Sequence, residues 1–266
     1  MASDSIALSG IRFLAEGMSE QCPGILSRQT MVPGFEQDKL EKVALAFIGA
    51  GGLGGEIALG GVRKGYKDLT FYDGDSVEAS NLPRQRFYVK DIHEKKAVAL
   101  GRNLQREAIS QATLSAVPLQ FQQAYKQGLV KKFDVAVCGV DNNPARTFVS
   151  RYCYHRKIPA VFVAVSADAD NGYVFVQEPG GPCFGCLFPD ALQDQRIPCD
   201  PTPASIDILK IVSGVVLYAI DTLIMGRKRG WNYREFFLAY GDDRKCVVPR
   251  RSGCELCWKS EFVDVG

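Results

Sequence analysis

The chain has 266 residues, which is enough for one large domain or two small ones. Hydrophobic residues make up 46% and charged residues 23%, which excludes a disordered tail, a collagen-like rod and a polar low-complexity chain. The 32 Lys and Arg residues nearly balance the 30 Asp and Glu residues, which gives no case for nucleic acid as the main partner. No basic segment followed by an apolar core stands at the N-terminus, so we predict no secretory signal, a cytoplasmic location and reduced cysteines.

The first 40 residues show no clear strand pattern. Ile11, Leu14 and Met18 recur at helical spacing, which predicts a short amphipathic helix. We therefore predict a helical N-terminal arm over residues 1–40. No long linker interrupts the sequence that follows, so residues 41–266 are predicted to form a single domain.

Short apolar runs alternate with helical patterns in the next part of the chain. Each run predicts a strand, and each stretch between two runs predicts a helix. The runs cover residues 43–48, 69–72, 112–118, 134–140 and 160–165. Such alternation is typical of right-handed connections between parallel strands. We predict a Rossmann-like α/β fold, in which a mostly parallel sheet carries helices on both faces.

The pattern changes after residue 171. A strand over 173–177 is followed by a cysteine-rich turn, a Pro-rich segment and a long helix over 204–225. Two late runs predict antiparallel strands that extend the sheet at its C-terminal side, over 235–240 and 245–248. The longest apolar stretch, 211–225, is shorter than a membrane span, so we predict a buried helix and no membrane contact.

A glycine-rich turn follows the first strand of the domain, and its glycines are Gly49, Gly51, Gly52 and Gly54. In this order the first glycine permits a tight turn, the middle ones let the backbone approach a phosphate, and the last lets the helix pack on the strand. The helix N-terminus adds amide donors. The turn therefore predicts a nucleotide site. Asp73, at the end of the second strand, suits the ribose of either ATP or a dinucleotide.

The segment from Tyr72 to Gln85 narrows this choice. After Tyr72 it reads Asp-Gly-Asp-Ser-Val-Glu-Ala-Ser-Asn-Leu-Pro-Arg-Gln. Together with the glycine turn it resembles the ubiquitin-activating-enzyme-like adenylyltransferases of the ThiF type, which use ATP to adenylate the C-terminal glycine of ubiquitin-fold proteins. Further matches extend the resemblance over residues 27–258, namely Ser27-Arg28-Gln29, Lys96, Val140-Asp141-Asn142 with Arg146, and two Cys-x-x-Cys pairs.

The resemblance implies which residues carry the chemistry. ATP is the nucleotide, and Asp141 holds Mg²⁺, a cation that prefers carboxylate and phosphate oxygens. Arg84 and Lys96 meet the phosphates, although the adjacent Lys95 is an alternative for the lysine, and Asn81 helps to orient them. Asp73 takes the ribose.

The resemblance also implies a homodimer. Arg28 would reach across the interface into the neighbour's site, and the apolar helix over 211–225 needs a cover, although Asp221 argues against its full burial. A crossover segment over residues 187–203 would capture the partner, a ubiquitin-fold protein that ends in glycine.

Four of the nine cysteines form the two pairs, Cys183 with Cys186 and Cys254 with Cys257. This spacing suits a tetrahedral structural Zn²⁺, which leaves no open position for catalysis. Cys199 lies in the crossover segment, where several members of the resembled family carry a cysteine that accepts the activated carboxyl as a thioester. Both this role and that of a plain loop cysteine stay open, because Asp-Pro-Thr-Pro follows Cys199 in place of the family's Gly-Val stretch.

Several outcomes remain open at this point. The adenylate could pass to a sulfur donor as a thiocarboxylate, pass through Cys199 to a conjugating enzyme in a bacterial-type ubiquitin-like system, or modify a short peptide. An NAD-dependent oxidoreductase would explain the glycines and Asp73 but not Arg84, Asp141 or the four paired cysteines. Besides adenylation and oxidoreduction, a third possible function is that of a non-catalytic scaffold subunit in an activating heterodimer.

Overall fold

The computed structural model describes residues 10–15, 24–166, 169–194 and 205–258. This part of the chain contains nine strands: β1 (Ile11–Ala15), β2 (Ala44–Ile48), β3 (Asp68–Tyr72), β4 (Ala112–Val117), β5 (Val135–Cys138), β6 (Ala160–Val165), β7 (Asn171–Gln177), β8 (Tyr233–Phe237) and β9 (Asp242–Cys246). They form one mixed sheet in the order β1-β4-β3-β2-β5-β6-β7-β8-β9.

Five neighbouring strands, β4-β3-β2-β5-β6, run parallel in the centre of the sheet. β1 pairs antiparallel with β4 at one edge, and β7, β8 and β9 continue antiparallel beyond β6. Ile48 lies opposite both Tyr72 and Cys138, so the C-terminal ends of three parallel strands meet. The predicted Rossmann-like α/β sheet with a C-terminal antiparallel extension is confirmed.

Helices cover both faces of the sheet. In the described residues they are α1 (Ser27–Thr30), α2 (Gln37–Glu41), α3 (Gly52–Lys64), α4 (Lys96–Leu104), α5 (Phe121–Lys126), α6 (Asn143–His155), α7 (Phe184–Leu187), α8 (Ile206–Met225) and α9 (Glu255–Trp258). Because side chains alternate along a strand, Leu45 and Phe47 of β2 enter a core with α3, α4 and α8, whereas Ala46 and Ile48 enter a second core with α5, α6 and α7.

The N-terminal arm contains a strand where the apolar spacing predicts a helix. That prediction is wrong for residues 11–15, which form β1 against β4. Ile11 and Leu14 are exposed, whereas Phe13 packs on the core, where Gly101 leaves room for its ring. Pairing satisfies the backbone groups along the edge of β4, and the local apolar spacing carries no signal for such a long-range partner.

Helix α8 is 20 residues long and, among the described helices, is the one long and apolar enough to cross a membrane by length and composition. It begins before the apolar stretch 211–225, so the argument from a short length is wrong. The predicted burial is confirmed, because Ile208, Val212 and Val216 lie in the core and α8 packs on α3, β6 and β7.

The expectation that α8 is not fully buried is confirmed, since Ile211 and Tyr218 are exposed, but Asp221 is not the reason, because it lies buried on this helix. Its carboxylate forms an ion pair with Lys64 and accepts a 2.8 Å hydrogen bond from the Tyr66 hydroxyl. Burial, and then the neighbouring Asp221 charge, raise the pKa of Tyr66 far above its ordinary value, so this hydroxyl stays a donor. The buried cluster ties the C-terminal end of α3 to α8.

Asp221→Asn is expected to lower the free energy of unfolding by about 2–4 kcal/mol, because it leaves Lys64 without its charged partner. Asp207→Asn, at an exposed position on the same helix, is the matched control and should cost below about 1 kcal/mol. Urea unfolding followed by circular dichroism measures both losses. Equal, small losses for the two variants would contradict the role given to the buried cluster.

Candidate active site

A cleft of about 450 Å³ opens at the C-terminal ends of the parallel strands. The chain passes from β2 to β3 on one side of β2 and later places β5 on its other side, which makes this end of β2 a topological switch point. Open parallel sheets bind their ligands at such a point. Seven of the predicted site residues line the cleft, namely Gly49, Gly51, Gly52, Asp73, Arg84, Lys96 and Asp141.

The glycine turn has the geometry that its sequence predicts. Gly49 has a φ of 98°, a conformation that favours glycine. A Cβ on Gly54 would collide with the Gly49 carbonyl oxygen, and a Cβ on Gly52 would lie 2.7 Å from Leu209 Cδ1 of α8. Gly51 is the N-cap of α3 and offers no side-chain acceptor. The first amides of α3 are therefore available to an anion at the cleft.

Asp73 follows β3 and is buried in the wall of the cleft. Its Oδ2 accepts a 2.7 Å hydrogen bond from the Ala50 amide, and its Oδ1 accepts one of 2.9 Å from the Asp75 amide. Burial raises the pKa of Asp73 above the ordinary value for aspartate, although both amides act to lower it. The two amides fix the carboxylate beside the glycine turn, and its remaining lone pairs can accept from ribose hydroxyls.

The two adjacent lysines at the start of α4 have different surroundings. Lys96 lines the cleft, and its Nζ lies 3.0 Å from Asp75 Oδ2. The Gln120 side chain donates to the other oxygen of Asp75 at 3.2 Å. Lys95 instead donates to the Gly74 carbonyl at 2.5 Å and is not among the residues lining the cleft. The structure thus favours Lys96 as the lysine that meets a ligand.

Arg84 and Asn81 belong to one turn beside the cleft. Arg84 lines the cleft and donates from Nη1 to the Ser80 carbonyl at 2.6 Å. Asn81 is buried and does not line the cleft; its Oδ1 accepts from the Glu78 amide at 3.0 Å, and its carbonyl accepts from the amides of Arg84 and Gln85. Asn81 therefore shapes the turn that carries Arg84, and its contact with phosphates stays a prediction.

Asp141 lies exposed on the loop between β5 and α6 and lines the cleft. Its Oδ1 is 3.3 Å from Asn142 Nδ2, and Asn142 caps α6 by accepting a 2.9 Å hydrogen bond from the Ala145 amide. The cap fixes the loop, and the Asp141 carboxylate keeps acceptor positions for a hard cation such as Mg²⁺. The residue therefore fits the predicted Mg²⁺ ligand.

One predicted catalytic residue does not line the cleft, and another cannot be placed relative to it. Arg28 is exposed on α1, does not line the cleft, and has no ion-pair partner within the parts of the chain that the structure describes. Cys199 lies outside the described residues. Of the crossover segment, residues 187–194 are described, and they include a short 3₁₀ helix, Pro189–Leu192.

The four paired cysteines meet in one buried cluster, as their spacing predicts. Cys183 Sγ lies 3.7 Å from Cys186 Sγ and 3.5 Å from Cys254 Sγ, and Cys186 Sγ lies 3.7 Å from Cys257 Sγ. Four thiolates at a Zn–S distance of about 2.3 Å have S–S edges of about 3.8 Å in a regular tetrahedron. The Arg251 amide donates to Cys186 Sγ at 3.3 Å. The cluster therefore fits a closed four-thiolate zinc site.

The residues of the cleft that the sequence analysis did not assign to the site include Asp75, Gln85, Gln120 and Leu209. Asp75 stands two positions after Asp73, and Gln85 follows Arg84 directly, so proximity to the motif could have indicated both. The Oε1 atom of Gln85 is buried without a hydrogen-bond partner in the described structure. Gln120 and Leu209 come from distant segments, and no local pattern marks them.

Comparisons with known proteins identify the family. The ThiF family model matches residues 26–242. The sulfur carrier protein adenylyltransferase of Thermus thermophilus is 26% identical, and the match covers 83% of this chain and 84% of that protein. The SAMP-activating enzyme E1 of Haloferax volcanii is 28% identical over 83% of this chain and 82% of that one. The adenylyltransferase and sulfurtransferase MOCS3 of Mus musculus is 33% identical over 89% of this chain, which spans about half of the mouse protein (53%).

Solved structures share the fold at low identity. A crystal structure of E. coli MccB with MccA-N7isoAsn has a TM-score of 0.73 and 17% identity, over 91% of this chain and 77% of that one. A structure of MccB with ATP has a TM-score of 0.66, also at 17% identity, over 83% and 68% of the two chains. The family match covers most of the sequence, and the chain therefore belongs to the ThiF family of adenylyltransferases.

Proposed function

We propose that the protein uses ATP to adenylate the C-terminal glycine of a ubiquitin-fold or sulfur-carrier protein. The composition of the cleft carries this proposal, because it combines the glycine turn with Asp73, Arg84, Lys96 and Asp141. The Thermus thermophilus relative is named for adenylyl transfer to a sulfur carrier protein. An NAD-dependent oxidoreductase would not explain Arg84, Lys96 and Asp141. Membership of the ThiF family also argues against that alternative.

In the proposed complex, ATP spans the cleft. The ribose hydroxyls donate to the Asp73 carboxylate, and the triphosphate lies at the N-terminal end of α3, where free amides and the helix dipole favour an anion. Arg84 and Lys96 contact the phosphates. When the phosphates bind, Lys96 leaves its ion pair with Asp75 and contacts a phosphate oxygen instead. Asp141 is the ligand proposed for Mg²⁺, which would neutralise phosphate charge when bound.

The reaction is a displacement at the α-phosphorus. A carboxylate oxygen of the carrier's last glycine forms a bond to this phosphorus, and the bond to the oxygen that bridges the α- and β-phosphates breaks. Pyrophosphate leaves with the electron pair, and no oxidant or reductant takes part. In phosphoryl-group chemistry of this kind, most of the rate enhancement comes from positioning the reactants and from neutralising the phosphate charge. Arg84 and Lys96 are the cations placed to supply them.

A homodimer would complete the site. Arg28 is exposed and does not line its own cleft. Helix α8 exposes Ile211 and Tyr218, two apolar side chains that a second subunit would cover. We propose that Arg28 of each subunit enters the neighbour's cleft. The crossover segment 187–203 would then capture the carrier, whose tail reaches the α-phosphate.

The fate of the adenylate depends on a second protein. A sulfur donor would yield a thiocarboxylate, and a conjugating enzyme would receive the carrier through Cys199 in a bacterial-type ubiquitin-like system. We favour the second outcome, because the Pro-rich sequence after Cys199 departs from that of sulfur-carrier activators.

Asp141→Asn is expected to reduce ATP–pyrophosphate exchange by about 10²–10³-fold. The variant lacks the proposed Mg²⁺ ligand, so the charge of the phosphates would no longer be neutralised by a bound cation. The control is Asp134→Asn, which precedes β5 at the opposite end of the strand and accepts a 2.9 Å hydrogen bond from the Ala44 amide. Its exchange should stay within about twofold of wild type. The assay measures radiolabelled ATP formed from pyrophosphate, with and without candidate ubiquitin-fold proteins that end in glycine.

Absence of exchange with every such carrier would overturn the adenylation proposal. ATP binding without exchange would instead favour the scaffold function. A Cys199→Ser variant separates the later step, since it should keep exchange but lose a carrier adduct that thiols cleave. Retention of that adduct would assign Cys199 as a plain loop cysteine.

Arg28→Ala and Asp141→Asn subunits are expected to complement each other. Each homodimer is inactive, but a mixed dimer contains one site with both wild-type residues, so random mixing should restore about a quarter of wild-type exchange. Differently tagged subunits, co-purified through both tags, show that mixing has occurred. Mixed dimers with no activity would contradict the transfer of Arg28 between subunits.

Loss of zinc is expected to destabilise the fold, because the cluster joins α7 to the C-terminal α9. Cys183→Ser should abolish bound zinc and lower the melting temperature by about 5 °C or more. Cys246→Ser, at an exposed position on β9, is the matched control. Metal analysis and thermal unfolding measure both quantities. A wild-type protein without zinc, together with a stable Cys183→Ser variant, would refute a structural metal.

A further inference from the structure

The C-terminal end of α3 anchors the segment that carries Arg28. Lys64 is the last residue of α3, and its carbonyl is one of the four that an α-helix leaves without an intrahelical partner. The side-chain amide of Gln29 donates to this carbonyl at 2.9 Å, and that of Gln37 donates to it at 3.2 Å. Gln29 also donates to Gln37 Oε1 at 2.7 Å. The two glutamines therefore hold the segment before β2 on one acceptor of α3.

Helix α1 buries none of its own side chains, and it spans four residues. Within the described residues, Gln29 is the side chain of α1 that hydrogen-bonds another element, whereas the Thr30 hydroxyl donates to the Ser27 carbonyl of the same helix. Gly65 leaves room for the anchor, because a Cβ there would lie 2.6 Å from Gln37 Nε2. The position of α1 therefore depends on the Gln29 amide.

The anchor lies far from the nucleotide cleft of the same subunit. Gly52, in the first turn of α3, lines the cleft, whereas Lys64 ends the helix. At the α-helical rise the two residues are about 18 Å apart, which exceeds the reach of one arginine side chain. Arg28 adjoins Gln29, is exposed and does not line this cleft. Its guanidinium is thus placed to serve a site outside its own subunit.

From this geometry we propose that Gln29 is the positioning residue for Arg28. By anchoring α1 to the Lys64 carbonyl, Gln29 holds the guanidinium where the triphosphate of the neighbouring subunit meets it. This rests on the adenylation and the homodimer proposed above, and it adds the contact that orients Arg28. The effect of Gln29 crosses the interface, so its loss impairs the neighbour's site and leaves its own cleft intact.

Gln29→Ala is expected to reduce ATP–pyrophosphate exchange by about 10–100-fold, because the guanidinium is still present but no longer held in place. The matched control is Gln105→Ala. It also removes a 2.9 Å hydrogen bond from a glutamine amide to a backbone carbonyl, that of Leu14, and its exchange should stay within about twofold of wild type. Full exchange by the Gln29→Ala homodimer would overturn the proposal.

Mixed dimers show in which site Gln29 acts. They are made from differently tagged subunits and purified through both tags. The dimer of Gln29→Ala with Asp141→Asn contains one site that combines an intact cleft with a correctly anchored Arg28, so it should recover about half of wild-type exchange. The dimer of Gln29→Ala with Arg28→Ala contains no such site and should stay at or below the activity of the Gln29→Ala homodimer.

A role of Gln29 in its own cleft predicts the opposite results. The first mixed dimer would then stay inactive, and the second would recover about half of wild-type exchange. A role in folding alone predicts no recovery in either, so absence of recovery in the first mixed dimer would overturn the proposal. If Gln29→Ala does not fold, Gln29→Asn takes its place, since it keeps the amide and shortens the side chain by one methylene.

The anchor can also be measured without activity. Hydrogen–deuterium exchange of a peptide that covers residues 27–32 should be at least about tenfold faster in Gln29→Ala than in wild type. Unchanged exchange would refute the anchor, and so would a wild-type chain that forms no dimers refute the transfer between subunits. If wild type instead shows the anchor and the dimer but no pyrophosphate exchange with any carrier, the adenylation proposal falls.

Discussion

The close approach of α3 to the turn after β2 is the constraint on which the rest of the site depends. Gly54 packs so tightly against the Gly49 carbonyl that no side chain fits between them. Helix α8 holds α3 at both ends, through Leu209 against Gly52 and through the buried pair of Asp221 with Lys64. The N-terminal amides of α3 are therefore fixed in position before any phosphate binds, and no ordering of this helix opposes binding.

The parallel strands bring the charged groups to this helix. Asp73 follows β3, Asp141 follows β5, and Lys96 begins α4, yet all three line one cleft because the strand ends meet. Each group already has a partner in the protein. Two cations of the cleft, Lys96 and Arg146, differ in the charge of their partners. Lys96 pairs with the Asp75 carboxylate, whereas Arg146 donates to neutral oxygens.

Local patterns predicted much of this arrangement from the sequence. The buried central strands, the glycine turn and the two cysteine pairs depend on neighbours within a few residues, and all three were confirmed. Strand β1 was missed because its partner β4 lies about a hundred residues away and the pairing uses backbone groups alone. Long-range packing also hid Leu209. Sequence could not separate Lys95 from Lys96, because only the fold shows that one of them is bonded to a loop carbonyl.

The central claim is that a carboxylate oxygen of the carrier becomes bonded to the α-phosphorus of ATP. It can be measured directly with a carrier whose terminal carboxylate contains oxygen-18. Hydroxylamine then cleaves the product at the carbonyl carbon, and mass spectrometry reads the released AMP. The account predicts AMP with one heavy oxygen per molecule, formed only when carrier and Asp141 are both present. AMP without heavy oxygen, or release of ADP and phosphate instead, would contradict it.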